Sequence, residues 1–178
     1  MKFTRTELDG VWIVDLEPHV DERGSFARTY CADELAAYGL RTAWPQANVS
    51  RNTHCGTLRG LHYQAEPHPE IKLVRCTAGA IFDVVVDVRR DSSTFGRWLG
   101  LDLTAATGRA LYIPAGFAHG FQTLTDEADV SYLMGTAYTP NLARGLRWDD
   151  PAVGVTWPLA PVAMSPRDIA LPLLAELA

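Results

Sequence analysis

The chain has 178 residues, 47% of them hydrophobic and 21% charged. That length suits one domain with a sizeable core, and that balance excludes a disordered polyelectrolyte. A net charge of -5 speaks against nucleic acid as a partner, because phosphate backbones select basic surfaces.

In chain order, Val11 to Leu16 is apolar, β-branched and closed by Pro18, which predicts a strand. Asp21-Glu22-Arg23-Gly24 is a polar turn, and Ser25 to Tyr30 resumes as a strand with Phe26 and Arg28 on one face. Cys31 to Tyr38 holds good helix formers and stops at Gly39, which predicts a short surface helix. From Gln46, parity puts Gln46, Asn48 and Ser50 on one polar face of an extended segment, a face suited to lining a site. Arg59 and His62 have opposite parity in a regular strand. Gly60 between them could host a bulge that turns both to one side.

Ile71 to Cys76 and Ala80 to Val88 read as a hairpin around Ala78-Gly79. In its second strand Phe82, Val84, Val86 and Val88 share the apolar face and Asp83 and Asp87 the other. The two Asp suit turn or strand-end pairing with Arg89 or Arg90. Trp98 to Leu103, Ala110 to Ile113, Gly120 to Leu124 and Val130 to Met134 continue as strands, the last aligning Val130, Tyr132 and Met134. From Trp157-Pro158 the tail is Pro-rich, and Ala170 to Leu177 predicts a terminal helical turn. Many short strands with one clear helix imply an all-β barrel or jelly roll. There is no internal repeat and no low-complexity linker, so residues 1-178 are read as a single domain.

No run reaches the roughly 18 apolar residues needed to span a bilayer, and no apolar signal core follows Met1 to Arg5. Cys31, Cys55 and Cys76 are odd in number and not closely spaced, which favours reduced thiols and a cytoplasmic setting.

His62 and His119 are the first candidates for chemistry. Each can be a hydrogen-bonded structural His or a metal ligand. Gly108, Pro114, Gly116 and His119 fit the second cupin box, Gly-x5-Pro-x-Gly-x2-His. The first box needs His-x-His and then an acid, but reads His62-Tyr63-Gln64. One His from each box falls short of the three protein ligands a metal site requires, so no metal is assigned.

Further pieces are Asp21-Glu22-Arg23-Gly24, Gln46-Ala47-Asn48, Leu58-Arg59-Gly60-Leu61-His62, Lys72-Leu73-Val74-Arg75, Asp87-Val88-Arg89, Thr94-Phe95-Gly96 and Pro114 to Phe121. Tyr132, Tyr138-x-Pro140, Trp148-Asp149-Asp150-Pro151, Trp157-Pro158 and Ser165-x-Arg167-Asp168 follow. In order and spacing this set resembles the dTDP-4-dehydrorhamnose 3,5-epimerase family, a metal-free branch of the cupins. The resemblance implies a cupin-type jelly-roll barrel acting on a nucleotide-linked 4-keto-6-deoxyhexose, in deoxysugar biosynthesis, without a cofactor.

By the resemblance, His62 is the base, Asp168 orients its imidazole, Tyr132 returns a proton from the opposite face, and Lys72 steadies the enolate. Arg23 and Arg59 meet the diphosphate, Phe26 and Tyr138 stack on the nucleobase, and Gln46 and Asn48 contact the nucleoside. His119 touches the sugar. Arg23 and Phe26 belong to an arm that crosses into the partner's site, which implies a homodimer.

Three positions depart from the family pattern: Arg28 and Ala143 replace usual Glu residues, and Arg167 replaces a Lys. An Arg at position 28 can only donate, whereas a Glu accepts from the ring N–H of thymine. Arg28 therefore either reads an acceptor-bearing base such as cytosine or guanine, or turns to phosphate or solvent and leaves dTDP in place. Epimerisation at carbon 3, carbon 5 or both stays open, as do a metal-dependent cupin enzyme and a non-catalytic sugar-nucleotide-binding module.

Overall fold

The computed structural model describes residues 1–177; Ala178, the last residue of the expected domain, lies outside the described residues. The strands are β1 (Lys2–Arg5), β2 (Trp12–Asp15), β3 (His19–Asp21), β4 (Gly24–Phe26), β5 (Gln46–Asn52), β6 (Leu58–Gln64), β7 (Lys72–Ala78), β8 (Ala80–Asp87), β9 (Trp98–Thr104), β10 (Ala110–Ile113), β11 (Phe117–Thr123), β12 (Ala128–Met134) and β13 (Ala143–Gly145). Two short helices, α1 (Ala32–Ala37) and α2 (Pro166–Ile169), complete the regular structure with two 3₁₀ turns.

One antiparallel sheet runs β1-β2-β10-β7-β12-β5 and a second runs β13-β6-β11-β8-β9. They face each other across a core of Val74, Cys76, Ile81, Val85, Leu103, Leu111, Ile113, Phe117, Phe121 and Val130. This is a cupin-type jelly roll, all-β as the strand pattern implied. The outer face of the second sheet is covered by the C-terminal segment, through Leu146, Val153, Leu174 and Leu177 on Val84 and Val86. The outer face of the first carries Trp12, Leu73 and Tyr112 against Leu40 and Trp44.

The helix expected at 31–38 forms over Ala32–Ala37 and ends with Gly39 N–H bonded to Ala36 O and Leu40 N–H to Leu35 O, a Schellman closure. Ala110–Ile113 matches its expected strand to the residue, while β11 begins three residues earlier than Gly120.

Three expectations need correction. First, β7 and β8 are not a hairpin: they lie in different sheets, and both neighbours of each are other strands. Gly79, at φ +67, turns the chain from one sheet to the other, where Ala80 N–H donates to Thr125 Oγ1 at 3.1 Å. A small turn after a strand looks the same in sequence whether the chain folds back beside itself or crosses the core. Second, the strand expected over Ser25 to Tyr30 stops at Phe26. Its only partner, β3, begins just after Pro18, and beyond Phe26 the Thr29 carbonyl is taken by Arg75 Nη2 at 3.2 Å.

Third, Asp83 does not serve Arg89 or Arg90. The odd positions of β8 face the interior, and Asp83 pairs there with His119. Asp87 does take the expected role. Burial opposes its ionisation, yet donors from Arg89 (Nε, Nη2 and backbone N–H), Ser92 and Thr94 outweigh it and hold its pKa at about 2. The terminal helical turn expected within Ala170 to Leu177 is the 3₁₀ turn at Leu174–Glu176, and an unexpected helix, α2, precedes it. α2 starts at Pro166, because Ser165 caps it by accepting from Asp168 N–H and Pro166 suits the first helical position.

Asp87 generates a stability prediction. Its folded pKa lies below the ordinary carboxylate value, so its contribution is complete above about pH 4 and drains away as pH falls towards 2. Asp87→Asn should lower stability by roughly 2 kcal/mol at neutral pH and flatten the acid limb of a stability–pH curve, read by urea unfolding. An unchanged acid limb would refute the assignment.

Candidate active site

The strand registers determine which side chains meet. In the first sheet Asn48 lies opposite Tyr132 and Tyr132 opposite Val74, while Gln46 lies opposite Met134 and Met134 opposite Lys72. Paired residues of an antiparallel sheet share a face, and Val74 belongs to the interior core. Tyr132 and Lys72 therefore face inward from this wall.

In the second sheet His62 lies opposite His119, and Arg59 opposite Phe121. Three steps along β6 match two along β11, so β6 carries a bulge at Gly60, as the parity of Arg59 and His62 required. Gly60 has φ +111, and a Cβ there would sit 2.6 Å from Gly120 Cα and 2.7 Å from His119 O. Only glycine satisfies both conditions. Arg59 and His62 thereby face inward together from the second wall.

Between the walls lies a cavity of about 570 Å³, the size range of ligand sites. His62, Asp168, Lys72, Tyr132, His119, Arg59, Asn48, Tyr138 and Arg167 line it. His62 Nε2 is 2.7 Å from Asp168 Oδ1, and Gly60 N–H donates to Asp168 Oδ2 at 3.1 Å. Burial works against the Asp168 charge, but the His62 and Gly60 hydrogen bonds and the Ser165 hydroxyl prevail and hold its pKa below the ordinary value. An ionised carboxylate accepts, so Nε2 of His62 carries the proton and Nδ1 keeps the ring's free lone pair.

Burial and, secondarily, the Asp83 charge push the Tyr132 phenol far above its usual range, Arg59 opposing weakly. Tyr132 is therefore a protonated donor at any working pH. Its ring stands edge-on to His119 at a centroid distance of 6.0 Å. His119 is itself 2.8 Å from Asp83 through Nε2, a second imidazole–carboxylate pair in the same interior. Lys72 Nζ reaches Glu70 Oε1 at 2.8 Å and donates to the His62 carbonyl at 3.0 Å. Arg59 Nε donates to Asn52 Oδ1 at 2.7 Å.

Four expected substrate-binding residues lie apart from this cavity. Arg23 and Phe26 project from the β3–β4 hairpin, which pairs only with itself; Arg23 is bound to Asp21 at 2.5 Å. Arg28 is ion-paired with Glu34 on α1 at 2.7 Å. Gln46 sits at the rim, donating to Asn48 Oδ1 at 3.2 Å and accepting from Tyr138 N–H at 3.1 Å.

Sequence reasoning missed Asp83, Glu70, Gln64 and Arg144. Gln64 lines the cavity and ties the Tyr138 loop to β6: its amide reaches the His68 and Ala137 carbonyls, and its oxygen accepts from Thr139 N–H at 2.7 Å. Gln64 shares the parity of His62 on β6, a signal the sequence did carry, whereas both faces of β8 are buried and parity left that of Asp83 undecided. Glu70 precedes its strand and Arg144 is fixed by a tertiary pairing, so neither had one. Among the described residues, no three His, Cys, Asp or Glu side chains gather in a metal-binding group.

An imidazole held by a carboxylate on one wall, a protonated phenol on the other and a ligand-sized cavity between them are what this jelly roll offers a substrate. The model of the dTDP-4-dehydrorhamnose 3,5-epimerase family matches residues 5–176. The dTDP-4-dehydrorhamnose 3,5-epimerase of Shigella flexneri is 42% identical over 170 residues, covering 95% of this chain and 93% of that one. A dTDP-4-dehydrorhamnose 3-epimerase of Streptomyces niveus is 38% identical over 99% of this chain and 85% of its own. The Legionella pneumophila dTDP-6-deoxy-D-glucose-3,5-epimerase, solved with dTDP-4-keto-L-rhamnose, superposes with a TM-score of 0.94 at 37% identity, covering 99% of this chain and 94% of that one. The chain belongs to the dTDP-4-dehydrorhamnose 3,5-epimerase family and is an epimerase.

The bulge gives this site its own test. Gly60→Ala should destabilise the fold by at least about 2 kcal/mol and remove most activity, because relief of the clash moves His62 relative to Asp168. Thermal unfolding and turnover of the same preparation check this; a variant active at wild-type level would show that activity does not depend on the bulge.

Proposed function

We propose that the chain, acting as one domain, epimerises a dTDP-linked 4-keto-6-deoxyhexose at carbons 3 and 5. The observation that carries this is the 2.7 Å hydrogen bond between His62 Nε2 and Asp168 in a cavity whose opposite wall bears Tyr132. The ketone acidifies hydrogens on both neighbouring carbons. His62 removes one, Asp168 stabilises the imidazolium so formed, and the electron pair passes to the ketone oxygen as an enolate. Lys72 stabilises that oxygen with a charge that screening by water weakens little in so buried a place. Tyr132 then returns a proton from the other wall, which inverts the carbon. No net electrons move, so the step needs no redox partner. His119 contacts the sugar, and Arg59 and Arg167 take the diphosphate.

The stereochemical test follows from the two walls. His62→Asn should lower kcat/KM by at least about 10³-fold. Tyr132→Phe should still exchange sugar hydrogens with deuterium from heavy water but fail to invert the carbon, as read by NMR. Exchange at carbon 3 alone in the wild-type enzyme would assign it to the 3-epimerase type instead.

The arm belongs to the same reading. Val20 is 75% exposed and Phe26 77%, on a hairpin without a neighbouring strand in its own chain. Such exposure of large apolar side chains suits an arm that closes a second subunit's cavity, where Phe26 and Tyr138 sandwich the base and Arg23 joins the diphosphate. Asn48 and Gln46 hold the nucleoside. Glu34 draws the Arg28 guanidinium towards α1, which favours dTDP over a base chosen by an arginine donor. A homodimer in sedimentation equilibrium is expected, and mixing inactive His62→Asn chains with inactive Phe26→Ala chains should restore activity through hybrid dimers. Binding should favour dTDP over CDP and GDP, weaken in Phe26→Ala, and be unchanged in Arg28→Ala. A preference for CDP or GDP that Arg28→Ala abolishes would overturn the dTDP reading.

A further inference from the structure

We infer that Glu70 is a positioning residue that aims the Lys72 ammonium at the reacting sugar; this rests on the reading that Lys72 faces the enolate. Lys72 opens β7 on the interior face, and its side chain is 7% exposed. An ammonium has three N–H donors and a four-carbon stem that rotates freely. One donor is directed to Glu70 Oε1 at 2.8 Å and a second to the His62 carbonyl at 3.0 Å. The remaining donor is the one left for a ligand.

Glu70 is well placed for this. Its side chain is 10% exposed, it lines the same cavity, and it stands just before the strand that carries Lys72. The two acceptors do different work. The His62 carbonyl ties the ammonium to the backbone of the very residue that supplies the base. Glu70 prevents the stem from swinging about that single anchor. With both in place the distance between base and cation is fixed before substrate arrives, the pre-organisation that makes a charge effective towards a developing enolate. A buried donor without an acceptor is unfavourable, so loss of Glu70 leaves the ammonium to find another partner away from the sugar.

What matters in this account is the acceptor oxygen rather than its charge. The carboxylate offsets part of the ammonium's field, and a neutral oxygen at the same reach does the same positioning. Removing the acceptor should act in the transition state, lowering kcat while leaving KM nearly unchanged.

The test compares four variants by kcat, KM and deuterium wash-in, with circular dichroism and thermal unfolding on each. Glu70→Ala should lose about tenfold in kcat, Glu70→Gln should stay within about threefold of wild type, and Lys72→Met should lose about a hundredfold. Glu70→Ala in the Lys72→Met background should add no further loss, since Glu70 acts through Lys72. Should Glu70→Ala not fold, Glu70→Met keeps the volume without the acceptor and should show the same tenfold loss. Glu70→Ala or Glu70→Met with full kcat, beside a defective Lys72→Met, overturns the inference. A double variant well below Lys72→Met also overturns it, because Glu70 would then act independently of Lys72. An unimpaired Lys72→Met instead overturns the enolate role of Lys72, an outcome separate from either of these.

Discussion

The carboxylate of Asp168 accepts from the His62 ring at 2.7 Å and from the Gly60 N–H at 3.1 Å. Gly60 is the bulge residue of β6, so one buried group holds both the His62 ring and the backbone irregularity that turns it inward. Burial alone would raise the pKa of Asp168; the donors around it hold it below the ordinary value. The Asp168 charge decides the His62 tautomer, and in the proposed mechanism the tautomer decides which nitrogen takes the proton. The group arrives on a four-residue helix 106 residues further along the chain, set by the Ser165 cap and by Pro166.

The remaining site geometry follows from two sheets packed face to face. A base and an acid on one sheet could only take and return a proton on the same side of a substrate. On facing sheets they address opposite sides of a ring lying between them, which inversion of a carbon requires. Each wall also carries a carboxylate paired with a nitrogen donor or acceptor: Glu70 with Lys72 on one and Asp83 with His119 on the other. Burial, and after it Asp83, raises the Tyr132 phenol above its usual range, so it holds its proton in the resting site. The environment thus separates the two groups, keeping one carboxylate ionised and one phenol protonated within a single cavity.

Much of this could be read from residue order. The inward parity of Gln46, Asn48 and Ser50 anticipated the face of β5, and the conflict of parity between Arg59 and His62 located the bulge that Gly60 provides. The family motifs named most of the residues that line the cavity. Three things escaped. Gly79 resembled a hairpin turn, since a turn residue does not record which sheet the next strand joins. Asp83 was assigned to an arginine because the two faces of β8 are both buried and parity alone does not say which is interior. The start of α2 was overlooked within a Pro-rich tail, although Ser165-Pro166 is a sound helix start.

The sequence by itself determined the local alternation of faces, the helix that ends at Gly39, the position of the bulge and the chemical character of each candidate group. These depend on backbone periodicity and on the φ angles that single residues allow, which are local properties. Tertiary structure alone decided that β7 and β8 part company, that His119 meets Asp83, that Glu70 reaches Lys72, and that the phenol of Tyr132 stands across from His62. Those outcomes depend on how two sheets register and pack over long sequence separations, where energies are shared among many contacts and no single residue carries the instruction.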